Sequence, residues 1–204
     1  MHTLARIAID VVLLPSGEMT DYAVEANREL LKTFDNKIIL NYENCLPHIS
    51  LAMGCIDEKD IPDIEKILRD IAEQHSFREL RVVDIRAETI PTGKKVSGFK
   101  IEKTKELQLL HEEVMQKLAP YLTYDVIIDM VFSPPEVEEA TLFWIRSYPE
   151  KSSFENFSPH ITIGFGEIDK VEVPIKFAAS KLALCHLGNY CTCRKVLVST
   201  ELGS

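Results

Sequence analysis

Two octets in this chain are near copies of each other. Pro47-His48-Ile49-Ser50-Leu51-Ala52-Met53-Gly54 returns as Pro159-His160-Ile161-Thr162-Ile163-Gly164-Phe165-Gly166, with four of eight positions identical and Ser/Thr and Leu/Ile exchanged like for like. Each octet opens on a proline and then alternates polar with aliphatic residues, the pattern of a strand entered through a proline-fixed edge. Residues two apart in a strand share a face. His48 therefore shares one with Ser50, and His160 with Thr162, while Ile49, Leu51, Ile161 and Ile163 anchor the opposite faces. The same alternation places Met53 and Phe165 with the aliphatic residues, as core. Composition alone would supply about one His-x-Ser/Thr in a chain like this, so the bare tripeptide carries little weight. The joint recurrence of proline, aliphatic residues and closing glycine carries the reading.

At these residues the chain resembles the 2H phosphoesterase superfamily, named for two His-hydrophobic-Ser/Thr-hydrophobic motifs. Here they are His48-Ile49-Ser50-Leu51 and His160-Ile161-Thr162-Ile163. The resemblance implies an α+β fold, bilobal and pseudo-twofold, with antiparallel-rich sheets lining a central cleft and helices outside. It implies one motif strand per lobe, and metal-independent chemistry on 2',3'-cyclic phosphates or 2'-5' linkages of nucleotides or RNA ends. The interval between the motifs is longer than in compact members of that group. The segment from Val126 to Ser158 within it is expected to build part of the cleft wall.

The residues themselves support such chemistry. Opening a cyclic phosphate requires one group to take a proton from the nucleophile and another to give one to the leaving oxygen. Histidine serves both roles because its pKa lies near neutrality. The hydroxyls of Ser50 and Thr162 can donate to non-bridging phosphate oxygens. His48 and His160 are thus the candidate catalytic pair and Ser50 and Thr162 the candidate substrate-binding pair. The sequence leaves open which histidine is acid and which base. It shows no carboxylate cluster with metal-ligand spacing, so neither metal nor cofactor is expected. A non-catalytic protein that binds a nucleotide or RNA end in the same cleft is the alternative, and RNA 2'-5' ligation is a third possibility carried by the resemblance alone.

Bulk properties narrow the partners. A length of 204 residues suits one domain spanning 1–204, built as two tightly joined lobes. A net charge of -9 argues against a grip on long nucleic-acid tracts, which works by neutralising phosphates. A small anionic substrate in a local positive site remains compatible. Lys94, Lys95, Lys100, Lys103 and Lys105 form the one basic concentration, and a solvated face is the usual meaning of such a run. The apolar stretch Ile7 to Leu14 is interrupted by Asp10 and is too short to span a bilayer. It reads as the first strand of a cytoplasmic protein without membrane association.

Five cysteines, an odd number with no secretory context, are expected as reduced thiols. Cys185, His186, Cys191 and Cys193 lack a clean zinc spacing and read as small buried groups in a hairpin. Trp144 and Tyr190 offer surfaces on which a base can stack, but packing is the commoner use. His2, His75 and His111 have no hydroxyl partner and are given no role.

Periodicity sets out the elements. A helix capped at Thr20 keeps its apolar residues Ala23, Ala26, Leu30, Leu31 and Phe34 at helical spacing, and a second starts at Asp60 and Pro62. A strand over 80–90 turns at Pro91-Thr92-Gly93 into a partner through Val96, Phe99 and Ile101. Thr104 opens a third helix. Val126 to Phe132 reads as a strand, and Ser133-Pro134-Pro135-Glu136 starts a fourth helix through Trp144 and Tyr148. Two strands, 177–185 and 191–200, flank a Gly188-Asn189 turn.

Overall fold

A computed structural model describes residues 5–34, 37–89, 93–132, 137–168 and 171–203. Seven strands, β1 (Arg6–Pro15), β2 (Ile49–Asp57), β3 (Phe77–Thr89), β4 (Lys95–Ile101), β5 (His160–Phe165), β6 (Ile175–Leu187) and β7 (Cys193–Glu201), join in one antiparallel sheet. Its order is β2-β1-β6-β3-β4-β5, with β7 paired to β6. The long strand β6 holds the two halves together. It pairs with β1 from Ala179 to His186, with β3 near its start and with β7 near its end. The two motif strands lie at opposite ends of this path, yet β2 and β5 approach each other, so the sheet curls around a shared space.

Among the described residues four helices complete the α+β fold: α1 (Gly17–Thr33), α2 (Ile61–Ala72), α3 (Lys105–Leu118) and α4 (Glu139–Lys151). Thr104 caps α3 as its position predicts, its hydroxyl accepting from the Leu107 amide. Pro62 sits in the first turn of α2, where a missing N–H costs nothing. Ile64, Leu68 and Ile71 of α2 and Leu107, Leu110, Val114 and Leu118 of α3 are buried in one core with Phe99 and the aliphatic residues of both motifs.

Three local expectations change. Helix α1 begins at Gly17, not beyond Thr20, because the Ser16 carbonyl already accepts from the Thr20 amide and Met19 is buried a turn before Ala23. The run Val126 to Phe132 forms no strand. The chain bridges to β2 ahead of that run, at Thr123 and Cys55, and then turns through a 3-10 segment, Ile128–Met130, leaving Ile127 and Ile128 exposed. Cys185 and Cys193 are joined by a disulfide, since pairing of β6 with β7 brings their Cα atoms to 5.4 Å. They are small buried groups in a hairpin as read, but not free thiols; Cys45, Cys55 and Cys191 are free. The expected turn residues Pro91 and Thr92, the helix start at 133–136 and His2 lie outside the described residues. Among the described residues no helix is long and apolar enough to cross a membrane.

Candidate active site

Each motif strand breaks its ladder at the same place. In β2, Val11 pairs with Ala52 and Val12 with Ser50, leaving Leu51 as an extra residue. In β5, Ser97 pairs with Gly164 and Gly98 with Thr162, leaving Ile163 extra. A β-bulge shifts the side-chain alternation by one. Met53 and Phe165, which strict alternation places with the aliphatic residues, therefore come round to the side of His48 and His160. Both are buried, as read, but both line the cleft rather than the opposite face.

A bulge frees a carbonyl from the ladder, and a buried polar side chain from a helix meets each one. His111 of α3 donates Nδ1–H to Leu51 O at 2.7 Å. Asn27 of α1 donates to Ile163 O at 2.7 Å and to Ile38 O at 2.9 Å, while accepting from the Leu40 amide at 3.0 Å. His111 Nε2 accepts from the Phe154 amide at 2.7 Å, so the ring is neutral with both nitrogens committed. Burial pushes its pKa down to about 4. Neither residue stood out in the sequence: Asn27 is a polar interruption in a helical stripe, and His111 has no motif around it.

The cleft between the motif strands has a volume of about 220 Å³, and His48, Ser50, His160 and Thr162 all line it. The two histidines are held alike. His48 Nδ1 donates to Leu46 O and His160 Nδ1 to Ser158 O, each at 2.8 Å and each to the carbonyl two residues back, before the proline. This tautomer leaves both Nε2 atoms without a proton in the neutral ring, free for proton transfer.

Their electrostatic surroundings differ. On the His48 side stands Asp10 of β1, fully buried, with Oδ2 at 3.8 Å from Nε2. On the His160 side stands Arg86 of β3, with Nη1 at 2.8 Å from Nδ1. A guanidinium only donates, so with Nδ1–H given to Ser158 Arg86 acts on this ring through its charge rather than through a hydrogen bond. A proton added to His160 meets that charge. Burial and then Arg86 press its pKa down to about 4. Glu88, which accepts from Arg86 Nε at 2.8 Å, offsets part of that charge.

The outer wall is aromatic. Trp144, Tyr148, Phe157, Phe165 and Tyr190 line it, with Phe165 and Tyr190 edge to face at 5.0 Å. Trp144 and Tyr190, read from sequence as packing residues, thus face the cleft as well. Tyr190 is held with φ +58° between β6 and β7, its hydroxyl donating to Glu138 Oε1 at 3.0 Å. Of the lysine run, Lys94 Nζ lies 5.6 Å from the Phe165 ring centre and Lys103 Nζ 6.0 Å from that of Phe157.

Fold and cleft together define an α+β protein of the two-histidine type, with a motif strand at each end of one antiparallel sheet turning an imidazole and a hydroxyl into shared space. The model of one family, the 2'-5' RNA ligase superfamily, matches residues 33–186. The chain belongs to that superfamily, a group of 2H phosphoesterases. The solved structure of TT0787 from Thermus thermophilus is similar at a TM-score of 0.64 and 16% identity, covering 97% of this chain and 100% of that one. E. coli LigT complexed with NADP+ is similar at a TM-score of 0.52 and 14% identity, covering 98% of this chain and 100% of that one. At such identities the likeness shows the fold alone. No curated protein matches the chain by sequence.

Proposed function

We propose that this chain is a metal-independent phosphoesterase that hydrolyses 2',3'-cyclic phosphates or 2'-5' phosphodiester bonds of nucleotides or RNA ends. One observation carries the reading: both motif imidazoles and both motif hydroxyls open onto one cleft, with each Nδ1 tied back so that Nε2 is free. One histidine withdraws a proton from water as its oxygen bonds to phosphorus. The other gives a proton to the ribose oxygen as its bond to phosphorus breaks, yielding a phosphomonoester and a hydroxyl. Ser50, Thr162 and the Arg86 guanidinium favour the charge on the non-bridging oxygens. The aromatic wall suits a nucleobase, and the binding of NADP+ by LigT, a protein of similar fold, supports a nucleotide ligand.

The test is hydrolysis of the four 2',3'-cyclic nucleoside monophosphates, and of 2'-5'-linked dinucleotides, in EDTA. Wild type is expected to turn over at least one of them. His48→Ala and His160→Ala should each reduce kcat by roughly 100- to 10,000-fold, the usual worth of one proton-transfer group. Turnover indifferent to both substitutions would overturn the reading, and so would a wild type that binds these ligands without cleaving them.

A further inference from the structure

The two halves of the cleft are built to one plan, and they depart from it at one pair of positions. Asp10 is paired across the sheet with Met53, as Val96 is with Phe165. The first half thus places a carboxyl where the second places two methyls. Asp10 has no exposed surface, and although the Ser50 hydroxyl and the Leu51 and Ala52 amides stand beside its carboxyl, none completes a well-formed hydrogen bond to it. A buried carboxylate without partners is costly, so an unpartnered one beside a catalytic imidazole calls for an account.

We propose that Asp10 is a positioning residue that shares a single proton with His48 at neutral pH, making His48 the acid of the pair and leaving His160 the base. The assignment of acid and base rests on the phosphoesterase reading; the shared proton does not.

The geometry supports this from both sides. His48 Nδ1–H is already given to Leu46, so the added proton resides on Nε2, the nitrogen that faces both Asp10 and the cleft. Burial favours the uncharged form of each partner: it lowers the His48 pKa and outweighs every opposing influence on Asp10, whose pKa is raised to about 8. The Ser50 hydroxyl and the Leu51 and Ala52 amides lie near enough to pull Asp10 partway back toward its ionised form. The remaining groups facing Asp10 leave the proton to this pair. Tyr148 from α4 and the Cys191 thiol from the turn after β6 are held protonated by burial, and Cys185, its partner on β6, is in the disulfide. On the far side burial and then Arg86 keep His160 unprotonated, with Glu88 opposing them only in part. Negative charge on one side and positive on the other give two similar histidines opposite protonation states, the arrangement acid–base catalysis needs. As His48 gives its proton to the leaving oxygen, Asp10 is left as the carrier of the pair's negative charge until His160 returns a proton through product exchange.

The titration is measurable without substrate. In wild-type protein labelled at histidine nitrogens and aspartate carboxyl carbons, NMR between pH 4 and 9.5 should show His48 and Asp10 shifting together with a midpoint near pH 8. In Asp10→Asn the high midpoint should vanish and His48 should titrate below 6.5. With substrate, the alkaline limb of the kcat profile should move down by at least one pH unit in that variant, while KM changes less than about threefold. An Asp10 carboxyl that titrates alone near 4 would overturn the proposal, as would a His48 titration and pH profile unchanged by Asp10→Asn. Should Asp10→Asn fail to fold, the wild-type titration decides by itself. Coupled titration without turnover of any phosphoester would leave the shared proton standing and sink the phosphoesterase reading.

Discussion

Arg86 shows how much of this site depends on residues outside the motifs. It lies on β3, opposite Gly98 of β4, and reaches across that strand to His160. A residue of this charge could bind the substrate's phosphate, hold His160 neutral, or do both, and the two roles separate in kinetics. In Arg86→Gln the loss of the guanidinium should let the His160 pKa rise from about 4 toward its ordinary value. The acid limb of the kcat/KM profile would then move up by about one pH unit, so activity at pH 5 falls far more than activity at pH 7. A rise in KM at every pH, with the limb unmoved, would confine Arg86 to phosphate binding and refute its hold on His160. In sequence Arg86 was one charged residue in a Val- and Ile-rich run. Its partner is 74 positions away, and only the pairing of β3 with β4 and β4 with β5 brings them together.

At the scale of elements, the paired bulges decide what the motif strands can present. Strand, helix and motif positions were legible because hydrophobic period and cap residues act locally: Thr104, Pro62 and the octet prolines stand where their chemistry places them. A bulge is not local. It depends on what the neighbouring strand allows, so alternation alone does not give the face of Met53 and Phe165, nor show that the chain's bridge to the edge of β2 ends at Thr123, before the run from Val126. Gly98 is the residue that permits the second bulge. A Cβ there would lie 2.7 Å from the Ile161 carbonyl oxygen and 3.3 Å from Thr162 Cα, both backbone atoms that cannot swing aside. Gly98→Ala should therefore cost about 2 kcal/mol in urea denaturation, the usual range for overpacking. It should also lower turnover on the order of 100-fold by displacing Thr162. Gly17→Ala, where a Cβ meets nothing within 4 Å, serves as the control and should leave both within error. Equal behaviour of the two variants would mean that β5 does not need the close crossing.

Across the whole molecule, His111 joins the two halves of the site. Its Nδ1 holds the bulged residue of the first motif strand, and its Nε2 holds Phe154 in the segment leading to the second. Its ring stacks on Phe157, a cleft residue, at 4.1 Å. Because Nε2 accepts a hydrogen bond, protonation breaks the link to Phe154, and this makes stability depend on pH. The folded pKa is about 4 against 6.5 for a free imidazole, so between those values the unfolded chain binds more protons than the folded one. Stability then falls as pH drops from about 6.5, by at most ~1.4 kcal/mol per unit for this group, and levels off below about 4. His160, depressed to the same region, adds a loss of the same sign. The comparison must therefore be between wild type and His111→Gln, which keeps His160 and removes the titration at 111. Urea unfolding at pH 7 and pH 5 should show wild type losing on the order of 2 kcal/mol more than the variant, although the variant begins from lower stability at pH 7. Parallel losses in the two proteins would show that His111 takes up its proton in the fold as readily as in the unfolded chain. The link from Leu51 to Phe154 would then not be the neutral bridge on which the two motif strands are set.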